Sequence, residues 1–354
     1  MFTTPDRPAD VAASVPGLAA YARTATRLHP RPGTPRPQDS SVAGPMLWPS
    51  GEPWPRCQLP HMVEIERPAT AEDLELFRRG DEEVARLADR LSALPPEPGS
   101  RGMPAATAAQ LLRMLASASA NRPRTTVRTS AMAVPPKPVP MVPVVQLRAA
   151  DIPHARFPEG TDLLQILWCP HWHNAVPGMD EHHRGPAPMV CWRDSTKLTH
   201  HATPPDGAGT DGRSVLSTCV ISPEQITDYP DTEALPDPLQ ERLEDWHDSL
   251  GPDPGFDYRN DLAAAPGLKA GGWPYWPHGP RPVGCACGAD RDLLLSIPNG
   301  ERGTPSWTPL EDQTRAVEGG EEFHHPTGFH GARDAVHIFS CRQDPAHPVQ
   351  IYVE

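Results

Sequence analysis

The chain has 354 residues, 38% of them hydrophobic and 22% charged, with a formal net charge of −13. That length allows two domains or one unit with a sizeable core. The acidic balance argues against nucleic acid as a partner, because displacing counterions from phosphates needs a basic face. Proline occurs 48 times, well above the usual share of roughly 5%. It limits helix length and keeps strands at edges, so many short elements and long surface connections are expected.

At the start of the chain, Asp6 and Asp10 precede a modest apolar patch that Pro16 interrupts. This is not the pattern of a secretory signal, and no run approaches the ~18 apolar residues of a membrane span. Seven cysteines without dense disulfide spacing fit reduced thiols and a cytoplasmic location. Residues 1–40, rich in Pro, Arg and Thr, read as a short helix and a flexible lead-in.

Thr70 followed by Asp73 is a helix-capping signal, and Leu74, Phe77, Val84, Leu87, Leu91 and Leu94 recur at helical spacing with Gly80 as a weak point. Thr107 caps a second short helix through Leu111, Leu112 and Leu115. Residues 121–143 read as an extended Pro-rich connection, and their arginine-bearing start, 121–128, as a solvated loop. Residues 202–213 are a loop by composition. A third helix starts with Asp237 as N-cap and Pro238 at the first position, carries Leu239, Leu243, Trp246 and Leu250 on one face, and exits at Gly251. The chain closes with an alternating strand at residues 349–353.

One motif occurs twice. Residues 44–57 and 272–285 align without a gap and share five of fourteen positions: Gly44/Gly272, Trp48/Trp276, Pro49/Pro277, Gly51/Gly279 and Cys57/Cys285. Trp and Cys are rare here, so their coincidence predicts an internal duplication. Each copy is followed by two apolar strand-like runs, the second ending in cysteine: Val144 to Leu147 and Asp162 to Cys169, then Leu293 to Ile297 and Val336 to Cys341. The expected fold is α+β, two duplicated halves, each a mainly antiparallel sheet with flanking helices. The first half covers 41–250 with helical insertions, the second 251–354.

These residues resemble the YwqG-like family, bacterial domains of unknown function marked by Gly-Gly-x-Pro segments and a Leu-Leu-x-Gln-type strand. The matching positions are Ala43-Gly44 to Pro49, Val145-Gln146-Leu147, Leu164-Gln165-Ile166 and Gly271-Gly272-Trp273-Pro274. Position 43 is Ala where the family often has Gly, position 296 is Ser where it often has Gln, and the helical insertion at 61–140 is an extra. The resemblance implies an α+β fold with internal duplication and an immunity or accessory role. It carries over no catalytic residue.

Chemistry points first to a metal. Cys285 and Cys287 sit on a tight turn, Cys341 ends a strand, and Asp344 and His347 lie in the loop after it. Three thiols completed by His347 or Asp344 would hold a structural zinc ion, although the usual knuckle is Cys-x-x-Cys. The competing reading is reduced, partly buried thiols. A first-half counterpart, Cys57, Cys169, His171 and His173, offers a second metal candidate with both imidazoles on one side of a strand; the competing reading is a strand running into a loop with solvated histidines. The pairs His182-His183, His200-His201 and His324-His325 read as surface histidines. No nucleotide loop, His-Glu-x-x-His or Gly-x-Ser-x-Gly is present. Trp48, Trp54, Trp273 and Trp276, with Gln146 and Gln165, are the candidate lining of a partner groove between the halves, or else Trp–Pro packing at the sheet edges. The leading expectation is a non-enzymatic module binding a protein or peptide. The rival is a metal-dependent hydrolase with Cys/His-bound zinc.

Overall fold

The computed structural model describes residues 2–94, 104–120, 124–179, 183–209, 214–281, 283–301, 304–314 and 324–354. His182, residues 121–123 and residues 210–213 lie outside them. The chain forms two compact units, one of Met1–His61 with Val134–Glu354 and one of Met62–Ala133. The fold is α+β, with mainly antiparallel sheets and few helices.

The smaller unit is a strand pair and two helices. Ala71–Ser92 begins as predicted: Thr70 accepts from the Asp73 N–H and Asp73 from the Thr70 N–H at 2.8 Å. The helix runs through Gly80 without a break. Ala105–Ala120 starts earlier than its expected cap at Thr107. The second strand, Thr126–Ala133, falls inside the stretch expected to be only a connection.

The larger unit holds two six-stranded sheets. One runs in the order Glu224–Asp228, Arg23–Arg27, Lys269–Gly271, Arg291–Pro298, Ala335–Cys341, Gln350–Val353, all antiparallel. The other runs Arg31–Pro32, Cys219–Val220, Ser41–Val42, Val142–Arg148, Leu163–Trp168, Pro188–Arg193, also antiparallel. Alternation places Leu164, Ile166 and Trp168 of the second sheet and Val336 and Ile338 of the first in one shared core. Each such fully buried apolar side chain contributes about 1.5–3 kcal/mol.

Residues 23–32 do not behave as a flexible lead-in. They pair with residues 219–228 in one continuous register, Arg27 opposite Glu224 and Arg31 opposite Val220, and the Ser222 N–H donates to the Leu28 carbonyl between them. This ribbon passes from one sheet into the other. Its polarity hides its burial: Arg27 is 3% exposed because its guanidinium donates to the Trp307 carbonyl at 2.9 Å and to Thr4 Oγ1 at 2.7 Å. Upstream, Val11, Val15 and Leu18 pack on Leu239 and Leu243 of the helix Asp237–Ser249. That helix is capped by Pro236, one residue before the expected Asp237.

At the end of the ribbon lies a buried ion pair. Lys269 Nζ stands 2.5 Å from Asp228 Oδ2, with both side chains fully shielded from solvent. Asp228 also accepts from the N–H groups of Ala265 (3.0 Å) and Trp273 (3.2 Å). Gly272 has φ +71, and a Cβ there would meet Asp228 Oδ2 and the Ala25 Cβ, so the close approach needs glycine. Removing one partner of such a pair leaves an uncompensated buried charge. Lys269→Ala is expected to cost about 3–5 kcal/mol in urea denaturation; a loss below about 1 kcal/mol would show that the pair does not hold the sheet.

His337 is a second buried titratable group on the first sheet. Its Nδ1 faces Ser296 Oγ at 3.0 Å and its Nε2 the Tyr275 carbonyl at 3.2 Å. Burial, with the Lys269 ammonium, lowers its pKa to about 3. The unfolded chain therefore binds this proton near pH 6.5 and the folded chain does not. The stability carried by neutral His337 is complete above that pH and falls as pH drops toward 3, by up to about 1.4 kcal/mol per pH unit. Denaturation midpoints from pH 7 to 4 should fall less steeply for His337→Gln than for the parent protein; parallel curves would contradict the assignment.

Candidate metal centre

Cys285 and Cys287 lie on a turn closed by Cys285 N–H to the Ala289 carbonyl (2.8 Å) and Gly288 N–H to the Cys285 carbonyl (2.9 Å). Gly288, at φ +86, takes the left-handed position that tightens it. The turn leads into strand Arg291–Pro298, whose Arg291 pairs with Cys341 across the ladder, so the strand end is brought back to the turn. The loop after Cys341 folds on Asp344, whose Oδ1 accepts from the Ala346 N–H (2.8 Å) and whose carbonyl accepts from the His347 N–H (3.1 Å). Arg291 joins the two sides, donating to the carbonyls of Gly284 (3.0 Å) and Pro348 (2.5 Å). Sequence reasoning passed over Arg291, because nothing in its local pattern marks a latch between distant loops.

The expected convergence is present. One donor atom each from Cys285, Cys287, Cys341 and His347 lies within 4.8 Å of all the others. Cys287 Sγ is 3.5 Å from Cys341 Sγ, and Cys285 Sγ is 3.7 Å from His347 Nδ1. Zn–S bonds of about 2.3 Å and Zn–N bonds of about 2.0–2.1 Å give a tetrahedron with edges of roughly 3.5–3.8 Å, so both pairs fit. Of the two candidates for the fourth group, His347 supplies the donor. Asp344 stands behind it, with Oδ2 3.7 Å from Nε2, longer than a hydrogen bond but on the side from which a carboxylate can orient an imidazole.

Backbone N–H groups surround the sulfurs. The Cys287 N–H holds the Cys285 thiol below its usual pKa, and the Asp344 N–H, with His347, lowers Cys341 to about 6. The nearby Cys341 and Cys285 sulfurs raise His347 in turn. Preorganised N–H donors favour thiolates at Cys285 and Cys341, the form that binds a metal, whereas at Cys287 the Ala289 N–H is outweighed by the neighbouring Cys341 and Cys285 and by burial, which push that thiol up.

The other sequence candidates are placed differently. Trp48 is 3% exposed against Met46 and Leu167, and its indole donates to the Glu52 carbonyl. Trp276 is 4% exposed against Leu293 and Phe339. Gln146 Oε1 accepts from the Leu47 N–H (2.8 Å) and from Gln165 Nε2 (2.9 Å), which also donates to the Leu47 carbonyl (2.6 Å). These four side chains do not line an open groove: the indoles pack on the faces of inner strands, not on the sheet edges, and the amides satisfy buried backbone. Trp54 and Trp273 remain half-buried. Trp54 donates to the Met141 carbonyl, and Trp273 donates to the Tyr21 carbonyl beneath the Arg23 guanidinium, 3.5 Å from the ring centre.

His200 and His201 are exposed, as surface histidines should be, and His324 and His325 are half-buried. His183 and His173 are buried instead, which corrects the solvated reading of both. Cys57, Cys169 and His173 form a second close group.

If the four donors hold zinc, Asp344→Ala is expected to weaken its affinity by about 10–100-fold, measured by competition with a chromogenic chelator; unchanged affinity would remove Asp344 from the site. No protein-family model and no curated protein matches this sequence.

Proposed function

We propose that this chain is a non-enzymatic protein- or peptide-binding module whose C-terminal sheet is clipped by a structural zinc ion on Cys285, Cys287, Cys341 and His347. The observation that carries this reading is the donor set itself. Three thiols and one imidazole complete a tetrahedron from protein atoms alone, as structural zinc sites do. A zinc hydrolase keeps one position for water, and these four donors leave none.

The two sheets are, on this reading, duplicated halves, in keeping with the YwqG-like kinship. Matching contacts support it. Gln165 donates to the carbonyl of Leu47, and His337 faces that of Tyr275, each the residue before the repeated tryptophan. Trp48 packs on Leu167 where Trp276 packs on Phe339. Cys57 groups with Cys169 where Cys285 groups with Cys341.

A cleft of about 360 Å³ lies between the first sheet and the loop after Val142–Arg148, lined among others by Arg23, His154, Arg156, Asp292 and Arg342. Arg23 and Arg342 share Asp292 (3.2 and 2.8 Å), and Arg342 also reaches Asp290 at 3.4 Å. Arg156 donates to the Arg342 carbonyl, and no carboxylate pairs with it among the described residues. A locally basic cleft on an acidic chain suits an acidic peptide segment.

Protein purified without added metal should contain zinc that Cys285→Ser protein lacks in part or whole, and should bind fluorescent hexaglutamate but not hexalysine. Arg156→Glu should weaken that binding at least tenfold. Absence of zinc sinks the clip; equal binding of hexaglutamate by parent and variant, or none by either, sinks the cleft.

A further inference from the structure

The group at Cys57, Cys169 and His173 is more deeply enclosed than the first: the three residues are 3%, 0% and 0% exposed, and their donor atoms lie within 4.8 Å of one another. Cys57 ends the short strand Arg56–Cys57, which pairs with Val139–Pro140. Cys169 directly follows Leu163–Trp168 and donates its N–H to the Ala187 carbonyl at 2.9 Å. His173 is fixed by paired backbone bonds to Gly185, 2.8 and 3.0 Å.

The imidazole is oriented for ligation. His173 Nδ1 lies 2.7 Å from the Pro60 carbonyl. A carbonyl only accepts, so Nδ1 carries the proton. Nε2 is then the free lone pair, and it faces Cys57 Sγ at 3.9 Å. This is the arrangement by which an outer carbonyl fixes the tautomer of a metal-bound histidine.

A fourth side chain stands beside the group with a need that the protein does not meet. His61 is 3% exposed, and its Nδ1 is buried without a hydrogen-bond partner. Its ring lies edge-on to His173 with centroids 5.7 Å apart, and stacks on His171 at 4.3 Å. Leaving a buried ring nitrogen unpaired costs about 1–3 kcal/mol. The His61 donor atoms stand outside the 4.8 Å group, and the two sulfurs receive N–H groups from Leu59 and His171.

We propose that Cys57, Cys169 and His173 form a second zinc-class metal site in the other sheet. Two thiolates and one imidazole are the donor types that zinc takes. Binding releases the thiol protons to solvent and closes the corner between Leu163–Trp168 and the loop at 57–61. The ion is enclosed, so exchange is slow compared with that at the partly exposed Cys285 site.

The test counts metal on the full chain, purified without added metal and checked for folding by circular dichroism. The expected result is two zinc ions per parent chain, one in Cys57→Ser, one in Cys285→Ser and none in the double variant. If Cys57→Ser fails to fold, X-ray absorption of the parent protein decides: two sites average fewer sulfurs per zinc than the three of a lone Cys285 site. A parent chain with one zinc that Cys285→Ser abolishes, or a Cys57–Cys169 disulfide in tryptic peptides, overturns the second site and leaves the first intact. One zinc that survives Cys285→Ser but not Cys57→Ser supports the second site and overturns the first.

Discussion

The buried carboxylate of Asp228 is the fixed point of the larger unit. It closes the ribbon that joins the two sheets, neutralises Lys269 on the next strand but one, and accepts the Trp273 N–H of the repeated turn. Burial lowers the pKa of Lys269, and Asp228 offsets part of that effect. The pair is therefore an obligation as much as a source of stability: either charge alone is costly in a dry interior. Because Gly272 brings the backbone against this carboxylate, the position of the whole turn depends on it.

From that turn the chain runs on to the candidate metal centre at Cys285 and Cys287, ahead of the strand Arg291–Pro298. The ladder between Arg291–Pro298 and Ala335–Cys341 returns Cys341 to Cys285 and Cys287, and Arg291 holds the two loops together. Sheet register, and no local motif, sets the ligand geometry. A slip of one residue would turn Cys341 to the other face, so the sheet positions the site before any ion arrives.

Buried polar residues mark the outward face of both sheets. Gln146 with Gln165, and Ser296 with His337, are cross-strand neighbours that turn toward the backbone of the repeated segments. Gln165 and His337 take up the carbonyls of Leu47 and Tyr275, Gln146 accepts the Leu47 N–H, and Ser296 bonds His337. This explains why side chains that look like binding groups in the sequence are structural in the fold, and why the tryptophans beside them are covered.

Several features were legible in the chain alone. The Thr70 capping box, the amphipathic helix before Gly251, and the strands ending in Cys169 and Cys341 all follow from local pattern, because caps and periodicity act over a few residues. The meeting of Cys285, Cys287 and Cys341 was expected from a turn bearing two thiols and a strand ending in a third, while the choice of His347 over Asp344 came from the fold. Tertiary structure decided the rest. Residues 23–32 contain no apolar alternation that announces a strand, and only the distant partners of Arg27 and Asp228 make their burial possible. His173 reads as a loop histidine until the fold encloses it, since burial is a property of what packs around a residue and not of its neighbours in sequence.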